Sequence, residues 1–122
     1  MSVAAELDRH RYVSLATFRA SGAEVRTPVW FAAVGNKLYV FTGGQSGKVK
    51  RLRRSSRARV APCDARGNVH GAWRDATARL IAPPADAERA LRAKYGMLKR
   101  VLDLFSRLSG RIRDRAWIEI EV

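Results

Sequence analysis

The residues of this chain best suited to chemistry form one short run. A glycine-rich segment, Gly43-Gly44-Gln45-Ser46-Gly47, follows an apolar strand pattern over residues 38–42 and leads into Lys48-Val49-Lys50-Arg51-Leu52-Arg53-Arg54. Glycine lets backbone N–H groups approach a ligand closely, and Ser46 is suited to cap the helix that follows. The unpaired N–H groups and positive dipole end of such a helix favour a phosphate, and Lys48, in the first turn, is within reach of the same anion. The run stops short of a nucleotide-hydrolysing phosphate loop. Thr42 stands where that motif begins with glycine, and Val49 replaces the hydroxyl residue that would hold magnesium. The chemistry expected is phosphate binding without nucleotide hydrolysis.

The other reactive residue types are sparse. Cys63, Asp64 and His70 face one another across a predicted hairpin, but three residues are too few to hold zinc, and a lone strand cysteine behaves as a small apolar residue. His10 reads as a surface residue. No pair of carboxylates and no nucleophile–base arrangement is visible, so no metal site and no catalytic residue is expected of the protein itself.

Charge points to an anionic partner. The 122 residues carry 24 Lys and Arg against 11 Asp and Glu, a net charge of +13. Between Ser46 and Arg59 there are seven basic residues and no acidic one, and a second basic stretch covers residues 107–115. No recognition-helix, zinc-finger or aromatic RNA-binding motif accompanies this charge, so a nucleic acid is the alternative partner rather than the expected one. No apolar run is long enough to cross a membrane, and the first residues lack the build of a signal peptide. With a single cysteine, the expectation is a reducing, cytoplasmic setting.

The elements that must position the loop read as follows. Strands are predicted over residues 12–18, 24–34, 37–42 and 57–64, with a fifth running through Ile81 and a sixth over 117–122. Pro28 inside the second strand demands an edge, a bulge or a ligand-facing site. In the last strand Ile118, Ile120 and Val122 alternate inward, with Glu119 and Glu121 outward. A short basic helix follows the third strand, with Val49 and Leu52 as its core contacts. A long helix precedes the last strand, where Leu91, Tyr95, Leu98, Leu102 and Phe105 share one face as core or dimer packing, although Gly96 weakens its continuity. Six short antiparallel strands in one domain spanning 1–122 are most economically closed into a barrel, which removes exposed edges.

The order of these elements, with Arg26-Thr27-Pro28-Val29-Trp30-Phe31 and Phe41-Thr42 followed by Ser46, Lys48 and Leu52, resembles the split β-barrel family of the pyridoxamine-phosphate oxidases. The continuous run over residues 46–54, then Val60-Ala61-Pro62-Cys63-Asp64-Ala65-Arg66-Gly67, is most similar to the small actinobacterial branch that uses the deazaflavin coenzyme F420. The resemblance implies a homodimer with a cofactor site at each subunit boundary. It implies that Ser46, Gly47 and Lys48 hold the phosphate, that Arg26, Thr27, Pro28, Val29, Trp30, Phe41 and Thr42 line the tricyclic ring, and that Trp73 or Arg74 reaches the site from the second subunit. It does not extend to the C-terminal region by which true pyridoxamine-phosphate oxidases recognise their substrate, so that activity is not expected. F420 is a polyanion, suited to a helix that bears Lys48, Lys50, Arg51, Arg53 and Arg54; FMN, the alternative, has one terminal phosphate. The function expected is hydride transfer from reduced F420 to an unsaturated organic substrate. An FMN enzyme and a non-catalytic cofactor- or haem-binding barrel are the alternatives.

Overall fold

Apolar alternation and turn residues produce a strand-rich chain. The computed structural model describes residues 2–110 and 115–122. Their order is α1 (Val3–Leu7), β1 (Tyr12–Phe18), β2 (Glu24–Val29), β3 (Ala32–Val34), β4 (Lys37–Gly43), α2 (Gly47–Arg54), β5 (Arg57–Cys63), β6 (Arg74–Ile81), α3 (Ala85–Tyr95), α4 (Met97–Ser109) and β7 (Arg115–Glu121). The basic stretch expected over residues 107–115 falls partly outside the described residues.

The strands form one sheet in the order β2-β1-β5-β6-β7-β4-β3, with every neighbouring pair antiparallel. Its two edge strands are consecutive in the chain, separated only by Trp30 and Phe31. The step from Val29 to Ala32 can cover at most roughly 11 Å, so the sheet must curl until its edges approach each other. This is the expected split barrel. Pro28 sits on edge strand β2, opposite Ser14 of β1, where its missing N–H costs no ladder bond on the open side.

The barrel has seven strands rather than six. The single strand expected over residues 24–34 breaks at Trp30-Phe31, and a distant residue causes the break. The Phe31 N–H donates to the Tyr95 hydroxyl at 3.0 Å, and that hydroxyl lies 2.7 Å from the Arg11 carbonyl oxygen and 3.0 Å from that of Phe31. With its amide committed to Tyr95, Phe31 cannot continue the ladder. The Trp30 ring stacks on Tyr95 with centroids 4.5 Å apart and 8° between planes.

Two apolar layers hold these elements. The barrel interior is filled by Val13, Leu15, Phe31, Leu38, Val40 and Val60, with Ile118 and Ile120 from β7 and Leu52 from α2. Outside, α3 lays Ala87, Leu91 and Tyr95 against Ala32 and Trp117. The alternation expected of β7 holds, with Ile118 and Ile120 inside the barrel, but this outer layer leaves the outward Glu119 buried at 9% exposure. It accepts hydrogen bonds from Arg79 Nε at 2.8 Å and the Tyr39 hydroxyl at 2.9 Å, and Lys37 lies 3.4 Å away. Burial opposes its ionisation, but the bonds from Arg79 and Tyr39 outweigh that and hold the carboxyl below its ordinary value.

The long helix is two helices. Gly96, at φ 56° and ψ −125°, ends α3 and starts α4 in a conformation that residues with a side chain rarely adopt. The change of direction resets the helical phase. Leu91 and Tyr95 are core residues, whereas Leu98, Leu102 and Phe105, expected on the same face as core or dimer packing, are exposed in the single chain and do not join the core. The side of α4 turned inward carries Lys99, Asp103 and Ser106.

Candidate functional site

Leu38 and Val40 anchor β4 in the barrel interior, and the chain leaves that strand through Gly43 and Gly44. Ser46 then starts α2 as expected: its hydroxyl accepts the Val49 N–H at 3.4 Å, and its extended backbone turns the chain into the helix. Val49 and Leu52 are buried, which fixes the orientation of α2 on the barrel. The first amides of the helix, those of Gly47 and Lys48, have no intrahelical acceptor. Lys48 is half-buried and lines a cavity of about 230 Å³ together with Pro28, Val29, Trp30, Phe41, Thr42 and Leu102. An adjoining cavity of about 300 Å³ shares Phe41, Thr42 and Leu102 and adds Gly43, Ser106 and Arg115.

Six residues expected at a ligand site therefore meet in one hollow: Pro28, Val29, Trp30, Phe41, Thr42 and Lys48. β2 supplies the proline edge, Tyr95 stacks on the Trp30 ring and bonds the Phe31 backbone beside it, and β4 delivers Phe41 and Thr42 beside α2. Thr27, next along β2, has a buried hydroxyl without any hydrogen-bond partner among the described residues. Arg26 and Trp73 lie apart from the hollow. The Arg26 guanidinium stacks over the Trp73 ring at 4.6 Å, with Arg59 over the same ring at 5.2 Å. Lys50 is exposed on the far side of α2, as its place two residues after Lys48 requires.

The electrostatics of the loop are one-sided. Burial, and then the neighbouring Arg51 charge, hold Lys48 below the ordinary lysine value. Burial, and then Arg19 and Arg54, lower Arg51 in the same way. Neither Lys48 nor Arg51 has a carboxylate partner among the described residues. Arg51 is held by a 2.6 Å bond from its Nε to the Thr17 hydroxyl, and its guanidinium lies across Gly47. A Cβ on Gly47 would stand 2.6 Å from Arg51 Nη1, so glycine is needed there to let the cation lie against the loop. A second polar cluster backs Phe41. Lys99 bonds Glu88 at 2.9 Å and Asp103 at 2.8 Å, Arg115 bonds Asp103 at 2.7 Å, and both cations lie over the Phe41 ring, at 4.8 Å and 4.3 Å.

Sequence reasoning missed Leu102, Ser106 and Arg115 as cavity residues. Leu102 was assigned to packing, and its place on the wall depends on the turn at Gly96. Cys63 is buried, and burial followed by the Asp64 charge raises its thiol above the ordinary value, as befits an inert core residue. His70 lies 3.9 Å from Asp64, and no group of three or more His, Cys, Asp or Glu is gathered among the described residues.

The structure thus combines a split barrel with an aromatic hollow and, beside it, a cationic loop that has no carboxylate partner among the described residues. The pyridoxamine 5'-phosphate oxidase family model matches residues 2–122, and the chain belongs to that family. No match is found among curated proteins. Among solved structures, a conserved hypothetical protein from Mycobacterium tuberculosis is similar at TM-score 0.67 and 19% identity, over 98% of this chain and 79% of that one. A FAD-binding protein from Mesorhizobium loti is similar at TM-score 0.63 and 18% identity, over 95% and 83%. The heme storage protein HutZ from Vibrio cholerae is similar at TM-score 0.65 and 15% identity, over 96% and 85%. At these identities the likeness is one of fold.

Proposed function

We propose that the hollow binds a flavin-type cofactor, coenzyme F420 in particular, and that the protein is an oxidoreductase of the deazaflavin kind. One observation carries this reading: two half-buried cations, Lys48 and Arg51, which have no carboxylate partner among the described residues, flank a capped helix start on the rim of an aromatic and proline-lined hollow. An anion there would gain the free amides of Gly47 and Lys48 together with the Lys48 ammonium. The orphaned Thr27 hydroxyl is a further polar group without a partner near the same strand edge. Pro28 and the Trp30 ring, stiffened by Tyr95, supply a flat wall suited to a ring system, and Phe41 and Leu102 add apolar surface to the same hollow.

When bound, the reduced deazaflavin supplies a hydride to an unsaturated organic substrate, so the protein needs no acid–base pair of its own. F420 is favoured over FMN because Arg51 lies beside Lys48 and the further cations of α2, though turned to its other side, raise the positive field around the loop beyond what one terminal phosphate would meet. The Mesorhizobium neighbour described as FAD-binding supports a flavin-type ligand. The Vibrio neighbour described as a heme storage protein lends haem less weight, because neither cavity wall holds a His, Cys or Met. In a homodimer the second copy closes the hollow and brings its Trp73 to the ring. Light scattering with F420 present is expected to give a dimer mass, and a monomer mass would remove this feature.

The catalytic part is tested by mixing the protein anaerobically with reduced F420 and a panel of enones, quinones and tetrapyrroles. Oxidation of the coenzyme by at least one class is expected. Binding without turnover by any of them would replace the reductase reading with that of a carrier.

A further inference from the structure

Helix α4 is inside out. At about 100° per residue, Met97, Leu98, Val101, Leu104, Phe105 and Leu108 occupy one arc, and Lys99, Asp103 and Ser106 the opposite one. The polar arc faces the protein, with Lys99 fully buried, and the apolar arc faces outward. Leu108 is 77% exposed, Met97 69% and Phe105 65%. A run of large apolar side chains presented this way on one helix marks a surface that is covered in use.

Charge selects what covers it. The one acid of α4, Asp103, is buried and bonded to Lys99 and Arg115, so the helix shows no negative charge outward. Arg100 and Arg107 flank the apolar arc on the Leu104 side, and neither has an ion-pair partner among the described residues. With Arg92 they line a cavity of about 390 Å³, beside Leu104 and Asp103. An apolar arc bordered by free arginines is the form of a helix that lies in the boundary of an anionic bilayer, with acyl chains on one side and headgroup phosphates on the other. A second copy that closes the hollow would lie on the Leu102 side of α4, whereas one packed by two-fold symmetry on the arc around Leu104 and Leu108 would bring the same arginines, which have no ion-pair partner among the described residues, in a chain of net charge +13. We infer that α4 docks the protein on membranes rich in anionic phospholipid, with Phe105 and Leu108 entering the acyl boundary and Arg100 and Arg107 meeting the phosphates. The cofactor reading is independent of this docking, since the residues named for it are not those of the hollow.

The test is co-sedimentation with phosphatidylglycerol–phosphatidylcholine vesicles and with pure phosphatidylcholine vesicles at physiological salt. The wild-type protein is compared with F105Q/L108Q, which keeps the net charge, and with R100Q/R107Q. All four positions are exposed, so both variants should unfold at the wild-type temperature. The wild type is expected to sediment with the anionic vesicles, and F105Q/L108Q to lose about tenfold or more in partitioning at unchanged charge. R100Q/R107Q is expected to lose the preference for anionic over neutral vesicles. Wild-type partitioning by F105Q/L108Q would mean that bulk charge alone binds the vesicles, and would overturn the inference. So would a failure of the wild type to sediment, or a wild-type dimer that becomes a monomer in F105Q/L108Q without lipid, which would assign the face to a second copy.

Discussion

Replacing Lys48 by methionine isolates the charge that the account depends on. Methionine keeps an unbranched apolar stem where the lysine stem is half-buried, so packing of the hollow is largely preserved. In the free protein the ammonium is disfavoured by burial and by Arg51, with no carboxylate in return among the described residues. Its removal should therefore leave stability unchanged or slightly raised. With an anion bound the sign reverses, because the loss of one charge-assisted contact costs roughly 1.5–3 kcal/mol, or about ten- to a hundredfold in affinity. Arg51 and the amides of Gly47 and Lys48 remain, so binding should weaken without vanishing. The assay is a fluorescence titration of F420 on both proteins, with thermal unfolding alongside. Unchanged affinity in Lys48→Met would refute the phosphate cradle, and weakened affinity together with a large fall in melting temperature would show that Lys48 is a structural residue.

Further outcomes follow from the same geometry. Gly47→Ala pushes the Arg51 guanidinium from its seat; because only a flexible side-chain end must move, titration should show weaker F420 binding while the melting temperature holds. Tyr95→Phe leaves the Phe31 N–H buried without an acceptor and should cost about 1–3 kcal/mol in urea unfolding. Glu119 is held below its ordinary value of 4.5, so its ionised form contributes stability that is full above that value and is lost as pH falls through the lowered one. Glu119→Gln should accordingly flatten the acid limb of a stability–pH curve measured by thermal unfolding. For Lys48, whose value is lowered, the affinity for an anion should fall at alkaline pH before an ordinary lysine would lose its proton, and Lys48→Met should abolish that step in a pH-resolved titration.

Local signals were the legible ones. β1 follows from its apolar run, and the Ser46 cap with Val49 and Leu52 inward follows from spacing within one helix. Pro28 narrowed its strand to an edge, a bulge or a ligand-facing place, because one residue's missing donor restricts where a strand can sit, and the edge is where it lies. What the chain concealed was set by partners far along it. The break at Trp30-Phe31 depends on a hydroxyl 64 residues away. Glu119 looks like an outward residue of an alternating strand until α3 covers that face and Arg79 and Tyr39 bond it. Of the stripe over Leu91, Tyr95, Leu98, Leu102 and Phe105, read as core or dimer packing, only the part before Gly96 is core, since period is blind to which side the core lies on. Leu102 therefore went unnoticed as a wall of the hollow, while Lys48 was legible from the glycine loop and Trp30, Phe41 and Thr42 only through the family resemblance.

The central claim is that this hollow and its cationic loop take a polyanionic deazaflavin. The most direct measurement is a titration of the purified protein with F420 and, separately, with FMN, followed by absorbance and fluorescence at two salt concentrations. Saturable binding of F420, tighter than that of FMN and weakened by Lys48→Met, is the predicted result. Tighter binding of FMN would contradict the assignment of the cofactor, and binding of neither would contradict the site itself.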